Sequence, residues 1–509
     1  MMRTQFFRTS LVAASLFAGL TACDNDKLTA VNANPNAPEH VESSSLFTNA
    51  TIGALGRIRG SSFEHGLSGL WDQHYAEIQY AEADLNLPRN ATTEAHWVGF
   101  YTGPLADYNQ ILQQSATSPN LVGPALVMRA FTLETMTDFW GDIPFSEAIQ
   151  GSTNFTPKYD TQAAIYDTLF ASLTKAASLM TATGVRYAET DPVYGQAGQS
   201  AADQATLWTK LANSLHARAA MRISQVDAAK AKAELTKALA GNNVISSNSE
   251  NAFVPWPGGV LSNPLCLNWA DSPNCGGTRD DQRLSQRFVD TLKVTGDPRL
   301  AKYAEPTGAS KKTNPTACDI TYRGFPNGHS SADVKNPCDA AGKNFSFSDY
   351  SRPTLSIRQE GSPSYIMTYA EILFIKAEAA ERGWIAGSAA QFYTDAIKAS
   401  MDQWKVPAAA QAAYLATPGV AYVAGAQGIK QIAYEKWVAL FNQETEAYSE
   451  YRRLDYPVLK PGPEAVTTTI PTRLPYPDIE TSLNAANVAA AKTAQGNTDI
   501  TGKVWWDKP

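Results

Sequence analysis

The segment IKQIAYEKWVALFNQETEAYSEYRRLDYPVLKP, residues 429–461, carries the clearest helical pattern in the chain. Its apolar residues recur at steps of four and three, at Ile429, Ala433, Trp437 and Leu440. This is the spacing of helices that bury one face. Arg452 and Arg453 stand in the last turn before Pro457, where cations complement the helix dipole. We expect helices here and a structural role for both arginines.

Three earlier segments repeat this spacing, at residues 124–140, 206–224 and 365–384. Alanines on their apolar stripes allow neighbouring helices to approach closely, as in stacked helical pairs. Pro124 stands near the expected beginning of the first of these helices. Sustained alternation of apolar and polar residues, the mark of a half-buried strand, does not occur in the sequence. The sequence therefore predicts an all-α protein with few strands.

Residues 251–363 interrupt the helical pattern with glycine, proline, asparagine, cysteine and aromatic residues. Long irregular segments inside a folded protein are usually functional or disordered. Two expected disulfides in this region favour order, and an aromatic loop layer on a helical scaffold is typical of a binding surface. We expect one helical domain over residues 43–509, with the ligand region at about 251–363.

The five cysteines divide into one and four. Cys23 stands alone near the start, while the other four lie in the irregular region, at Cys266, Cys275, Cys318 and Cys338. Their order favours two local bridges, 266–275 and 318–338, although four cysteines allow three connectivities. Zinc binding is the alternative, but the spacings are wide and Cys-x-x-Cys does not occur, so we expect disulfides and no metal site.

The residues before Cys23 have the layout of a secretory signal. Arg3 and Arg8 precede an apolar run at residues 10–20, which at about 1.5 Å per residue spans only about half of a ~30 Å hydrocarbon core. The sequence LTAC, residues 20–23, resembles a bacterial lipobox, in which the cysteine is lipidated. We expect a signal peptide at 1–22, a lipidated Cys23 and a flexible tether at 23–42. An ordinary cleavage site beside an incidental cysteine is the alternative.

Charge and motifs exclude several classes of function. Removing Arg3 and Arg8 with the signal changes the net charge from −7 to about −9, and the remaining chain has no basic run of the kind that binds nucleic acid. Nucleotide-binding loops, a nucleophile elbow and a close histidine metal motif do not occur in the sequence, and we expect no cofactor. A glycosidase carboxylate pair stays open, because its two acids need only be close in space.

Four motifs, taken in order, resemble the SusD/RagB family of outer-membrane lipoproteins. They are NANPNAPEHVESSSLFTNA (32–50), TDFWGDIPFSEAIQG (137–151), the helix WTKLANSLHARAAMRIS (208–224) and the C-terminal run from residue 436 through IPTRLPYPDIETSLNAANVAAA (470–491). The resemblance covers nearly all of the mature chain. It implies tetratricopeptide-like helical pairs, an exterior-facing outer-membrane location and a SusC-like, TonB-dependent transporter over which the protein closes as a lid. It also implies binding of oligosaccharides, or of peptides, without cleavage.

The resemblance places ligand contacts in variable loops, so candidate residues come from chemistry alone. Aromatic rings stack on sugar faces, and polar groups nearby can bind hydroxyls. The candidates lie in GLWDQHYAEIQYAEADLN (69–86) and in the irregular region, and they are Trp71, Tyr75, Tyr80, Trp256, Asn268, Trp269, Asp271, Tyr322 and Arg323. For each ring, packing in the core or against the transporter is the alternative. For the whole chain, the alternatives are a helical glycoside hydrolase and a transporter gate that binds no ligand well.

Overall fold

The computed structural model describes residues 41–508 except 196–197, 270–273, 309–317, 319–320, 330–333, 337 and 339–344. Within this part, Ser43–Pro509 forms one compact unit. The expected signal peptide, Cys23 and nearly all of the expected tether lie outside the described residues, as does Asp271. Their roles therefore stay predictions.

Helices dominate the described residues. In chain order they are α1 (Ser43–Ile58), α2 (Gly69–Trp71), α3 (Asn90–Phe100), α4 (Ala106–Gln114), α5 (Pro119–Trp140), α6 (Gln162–Leu179), α7 (Ala201–Arg222), α8 (Ala228–Ala238), α9 (Gln286–Thr295), α10 (Leu300–Tyr303), α11 (Leu355–Arg358), α12 (Tyr369–Glu381), α13 (Ala389–Gln403), α14 (Ala408–Leu415), α15 (Ala426–Ala439), α16 (Glu444–Leu454), α17 (Asp478–Leu483) and α18 (Ala485–Gln495). Two π-helical segments, Ser61–Ser68 and Tyr101–Leu105, follow α1 and α3.

Short antiparallel ribbons account for the strands. The strands are β1 (Tyr75–Glu77), β2 (Ile143–Pro144), β3 (Tyr159–Asp160), β4 (Ala252–Val254), β5 (Gln282–Leu284) and β6 (Ser364–Met367). They pair as β1 with β5, β2 with β3 and β4 with β6. The β1–β5 ribbon joins two segments far apart in sequence, and its register places Glu77 opposite Gln282.

Successive helices pack as pairs, as the tetratricopeptide-like prediction requires. Helices α5, α6, α7 and α8 pack each against the next, and α12 packs against α13. Helix α7 begins with a capping box, in which Ser200 accepts from the backbone N–H of Asp203 and the Asp203 carboxylate accepts from the N–H of Ser200. The predicted all-α scaffold of helical pairs is confirmed.

The predicted apolar stripes are buried, with one difference in α5. Along α7 the stripe residues Trp208, Leu211, Leu215 and Ala219 all lie in the core. Helix α5 is buried on nearly every side and begins at Pro119, so that Pro124 lies inside the helix and not at its start. A helix surrounded by others has no polar face for the pattern to reveal.

The opening segment of the sequence folds as two helices, α15 and α16, separated at residues 440–443. Buried ion pairs join α16 to the neighbouring helices. Arg453 binds Glu378 of α12 at 2.6 Å and Glu450 at 2.7 Å. Arg452 donates to the carbonyl of Asp138 at 2.7 Å and lies 4.1 Å from the ring centroid of Tyr448. Both arginines are therefore structural, and they connect helices in addition to ending one.

The region from 251 to 363 is less irregular than the sequence suggested, because it contains α9, α10 and α11. The cysteines pair as the order predicted, Cys266 with Cys275 and Cys318 with Cys338. Both bridges lie in loops on the helical scaffold. Among the described residues, no helix combines the length and the apolar character needed to span a bilayer.

Candidate functional site

A surface pocket of about 320 Å³ brings together two of the predicted ligand residues, Tyr80 and Asn268. We call it the Tyr80 pocket. Its other polar walls come from segments distant in sequence and include Glu77, Glu82, Arg89, Arg279, Asp281 and Gln282. Leu267 adds an apolar surface that is 51% exposed. An exposed ring among convergent polar groups is the chemistry that binds carbohydrates.

Tyr80 is held in the pocket by its backbone and by a cation. It lies three residues beyond β1, in the left-handed region at φ 57°, and its side chain is 57% exposed. The Arg279 guanidinium lies 4.9 Å from the ring centroid and binds Asp281 at 2.5 Å. Gln79 also donates to Asp281. This cation–π contact and the polar bonds beside it orient the ring while leaving much of it open to solvent.

Asn268 is positioned by a short 3-10 turn, Pro264–Asn268. The turn begins at Asn263, whose side chain accepts from the N–H of Leu265 at 2.7 Å. Cys266, in the middle of the turn, is bonded to Cys275. Asn268 donates to the Gln282 side chain at 2.8 Å. The disulfide and this bond fix an amide at the pocket wall.

Two of the predicted rings before Tyr80 lie in the core. Trp71 is buried, with its ring 5.5 Å from that of Tyr448. Tyr75 is also buried and stacks on His65 at 4.0 Å between ring centroids. In this structure neither ring has the exposed face that stacking on a sugar requires.

The two predicted tryptophans of the irregular region are buried as well. Trp256 donates from its indole nitrogen to Ser364 at 2.8 Å. Trp269 meets His65 edge-on, 5.5 Å between centroids. Both rings pack in the main apolar core beneath the loops. In this conformation they support the loops and present no face at the surface.

The last predicted pair, Tyr322 and Arg323, lies outside the Tyr80 pocket. Tyr322 is half-buried and packs against the core. Arg323 donates to the carbonyls of Asp349 at 3.0 Å and Cys318 at 2.9 Å, so it braces the second disulfide loop. Of the predicted ligand residues that the structure describes, which leaves out Asp271, only Tyr80 and Asn268 line the pocket.

Sequence reasoning missed the charged groups of the pocket, above all Glu77 and Arg279. Glu77 stands in the same short segment as Tyr80, and Arg279 begins the charged run RDDQR two residues after Gly277. Both residues lie close in sequence to the predicted aromatic and disulfide segments. This proximity could have identified them from the sequence.

The carboxyl groups of the pocket differ in their charge partners. Glu82 binds Arg89 at 3.1 Å, and Asp281 binds Arg279. Burial, and next the negative charge of Asp84, raise the pKa of Glu77 well above its usual range. Burial also raises the pKa of Asp84 to about 7. The pocket therefore contains a carboxyl group, Glu77, whose surroundings favour its protonated form more than water does.

A larger cavity of about 540 Å³ lies between α9 and the chain near Asn327 and Lys460. Its lining includes Gln73, Gln286 and Asp290. None of the described residues that line it is aromatic, so it offers no stacking surface. On chemistry, the smaller Tyr80 pocket is the better candidate for a carbohydrate.

One buried cluster, Asp72, His74 and Glu444, contains residue types that ligate metals. The Nδ1 atom of His74 forms a hydrogen bond with Glu444 and lies 3.7 Å from Asp72 Oδ2. The ring packs against Phe288 and Trp437. Because the nitrogen that would bind an ion already bonds to a carboxylate, the arrangement is that of a hydrogen-bonded core cluster.

Comparison with known proteins identifies the fold family. The SusD-like family profile, described as "Starch-binding associating with outer membrane", matches residues 35–477. No curated protein matches the sequence.

Solved structures are similar over nearly the whole chain. A chitin-binding protein is 28% identical with a TM-score of 0.77, covering 92% of this chain and all of its own. A chitin-binding SusD homolog from Flavobacterium johnsoniae is 25% identical with a TM-score of 0.75, covering 90% of this chain and 98% of its own. A SusD homolog from Bacteroides uniformis, 23% identical with a TM-score of 0.76 and coverages of 91% and 99%, shows the same fold. With its helical pairs, loop layer and surface pocket, the chain belongs to the SusD-like family of outer-membrane-associated binding proteins.

Proposed function

We propose that this protein binds an oligosaccharide at the Tyr80 pocket as a surface-exposed outer-membrane lipoprotein, and that it does not cleave its ligand. The observation that carries the proposal is the exposed Tyr80 ring, set beside the Asn268 amide and several charged groups. The ring supplies a stacking face, and the amide and charges supply hydrogen bonds to hydroxyls. Membership of a family described as starch-binding supports a carbohydrate over other nutrients.

Chitin oligosaccharides are the first ligands to test. Two similar structures, at 28% and 25% identity, are described as chitin-binding. Chitin is a chain of N-acetylglucosamine units whose flat ring faces suit stacking on a tyrosine. A peptide ligand, the alternative drawn from the sequence, would use the same polar groups but needs no sugar-stacking ring.

The protein acts, in this proposal, as the lid of a SusC-like, TonB-dependent transporter. The lipobox-like segment at Cys23 and the asparagine- and proline-rich residues after it support an anchored, movable position. Several acyl chains, at about 0.8 kcal/mol per buried methylene, give lasting attachment where a single chain gives marginal binding. The ligand would be held against the transporter before import.

Titration calorimetry with purified protein tests the binding proposal. We expect saturable heat with chitin hexasaccharide and weaker or no heat with an unrelated hexapeptide of the same length. The same mixtures, assayed for reducing ends, should show no release over a day. Binding heat with the peptide but not with the hexasaccharide would show that the ligand is a peptide. Release of reducing ends that stops when one carboxylate is mutated would show that the protein is a hydrolase.

Purification from native membranes tests the partner. We expect a large β-barrel protein to be recovered with this chain in mild detergent. Recovery of this chain alone, under conditions that preserve such complexes, would contradict the lid role while leaving ligand binding intact.

A further inference from the structure

Glu77 is a carboxyl group of the Tyr80 pocket that has no ion-pair partner among the residues that the structure describes. Its side chain is half-buried at the pocket wall, and one oxygen, Oε2, is fully buried without a hydrogen bond. Of the described residues, none forms an ion pair or a side-chain hydrogen bond with it. Burying a carboxylate without a partner is costly, so a cation that approaches this carboxyl group from the pocket would stabilise its ionised form.

The described groups around Glu77 do not supply a positive charge. Its backbone N–H donates to Asp84 at 3.2 Å, and its other close charged neighbours are the carboxylates of Glu82 and Asp281. Among the described residues of the pocket, the two cations are Arg89 and Arg279, and each is bound to one of those carboxylates. The described lining therefore includes three acids, Glu77, Glu82 and Asp281, and two bases, and Glu77 is the acid without a cation.

We propose that the Tyr80 pocket selects sugar units that carry a protonated primary amine, with Glu77 as the counter-ion of that amine. The class of ligand is a chitin-derived oligosaccharide in which at least one unit is deacetylated. This inference rests on the proposed oligosaccharide-binding function and names the unit that the pocket prefers.

The chemistry favours an amine over an acetamide at this position. An ammonium group donates up to three hydrogen bonds and carries a positive charge. It can therefore form a short, charge-assisted hydrogen bond with the Glu77 carboxylate. An N-acetyl group is neutral and donates one hydrogen bond. Burial, and next the negative charges of Asp84, Glu82 and Asp281, raise the pKa of Glu77 in the absence of ligand. An ammonium group beside the carboxyl lowers that pKa, so binding of the ammonium should favour release of a proton from Glu77.

Calorimetry with two matched hexamers tests the inference. The probes are the β-1,4-linked hexamers of glucosamine and of N-acetylglucosamine, in 150 mM salt at pH 6. We expect the glucosamine hexamer to bind about 10-fold more tightly. Glu77→Gln should reduce this preference to about twofold or less while still binding the acetylated hexamer.

A control separates the pocket from general attraction between an acidic protein and a polycation. Glu189→Gln removes the same charge at an exposed position outside the pocket and should keep the full preference. Loss of the preference in this variant to the same degree as in Glu77→Gln would overturn the inference.

Proton release gives a readout that needs no variant. Titrating wild-type protein with the glucosamine hexamer in buffers of different ionisation enthalpy should show up to one proton released per ligand bound. Equal affinities for the two hexamers, or binding without proton release, would overturn the inference and leave the proposed function standing. Binding of neither hexamer would contradict the choice of chitin-derived ligands in the proposed function.

Discussion

Tyr80 is the side chain on which the proposed binding depends most. Its ring is exposed where the neighbouring predicted rings are buried, and Arg279 holds its orientation. Stacking of a sugar on such a ring contributes about 1–2 kcal/mol by burying apolar area. Most of the pocket's apolar contact with a ligand would come from this ring and from Leu267.

Replacing Tyr80 by Ala should weaken binding of chitin hexasaccharide about 5- to 30-fold, the equivalent of the lost stacking energy. Tyr80→Phe keeps the ring and should bind within about threefold of wild type. Phe155→Ala removes a ring that is 77% exposed outside the pocket and should change nothing. Calorimetry on the three variants measures the affinities. Unchanged affinity in Tyr80→Ala would show that the Tyr80 pocket is not the binding site.

His96 gives the protein a dependence on acid pH. It lies beneath the pocket, with Nε2 3.0 Å from the Ser62 hydroxyl and its ring 4.8 Å from that of Phe63. Burial, and next the charge of Arg57, lower the pKa of His96 to about 4. The unfolded chain takes up a proton near pH 6.5 and the folded chain does not, so stability falls as the pH drops from 6.5 towards 4.

His96→Phe should remove this contribution, because Phe63 and Phe100 already surround the site with rings. We expect the free energy of unfolding of the variant to fall less than that of wild type between pH 7 and pH 5, by about 1–2 kcal/mol. Urea denaturation at the two pH values measures the difference. Equal falls would show that His96 is protonated in the folded protein.

Among the structural elements, the 3-10 turn Pro264–Asn268 depends most on its disulfide. The Cys266–Cys275 bridge closes a loop with a sequence separation of 9. In the chain-entropy view such a loop stabilises the fold by about 2–3 kcal/mol. Because the turn also presents Leu267 and Asn268 to the pocket, loss of the bridge should affect binding and stability together.

The double variant Cys266→Ala, Cys275→Ala should lose about 2–3 kcal/mol of stability and bind ligand about 3- to 10-fold more weakly. Cys318→Ala with Cys338→Ala is the matched control, since none of the described pocket residues lies in that loop. It should lose stability with no change in affinity. Denaturation and calorimetry distinguish the two, and full affinity in the first variant would mean that the turn holds its shape unaided.

The helical elements were readable from the sequence, since one-face burial imposes a spacing that survives in α7 and α15. The pocket was readable only in part. Tyr80 stands in a polar segment, but Glu77 and Arg279 come to line the same pocket only because β1 pairs with β5, far apart in the chain. Trp256 and Trp269 occur in glycine- and proline-rich sequence that is typical of surface loops, yet both side chains are buried beneath the loops. Strand pairing and the depth at which a side chain is buried depend on tertiary structure, and local sequence patterns do not reveal them.

The whole molecule has a helical scaffold and a loop layer that carries the pocket, and its sequence predicts a lipid anchor at Cys23. The scaffold is joined by buried ion pairs such as those of Arg222, which binds Asp138 at 3.1 Å and Glu450 at 2.6 Å. The expected tether at residues 23–42 would let the folded domain move towards and away from a transporter without leaving the membrane.

Cys23→Ala should separate anchoring from binding. We expect the variant, produced in the native host with its signal, to fold and to bind ligand with wild-type affinity but to leave the membrane fraction in the absence of the transporter. Cell fractionation with and without the transporter gene is the measurement. A variant that stays with the membrane without its partner would exclude Cys23 as the anchor.

The most direct test of the central claim is a crystal structure of the protein with a bound chitin hexasaccharide. We expect a sugar ring stacked on Tyr80, with Asn268 and Glu77 within hydrogen-bonding distance of the ligand. A hexasaccharide bound in the larger cavity beside α9, without contact to Tyr80, would contradict the proposal that the Tyr80 pocket is the binding site.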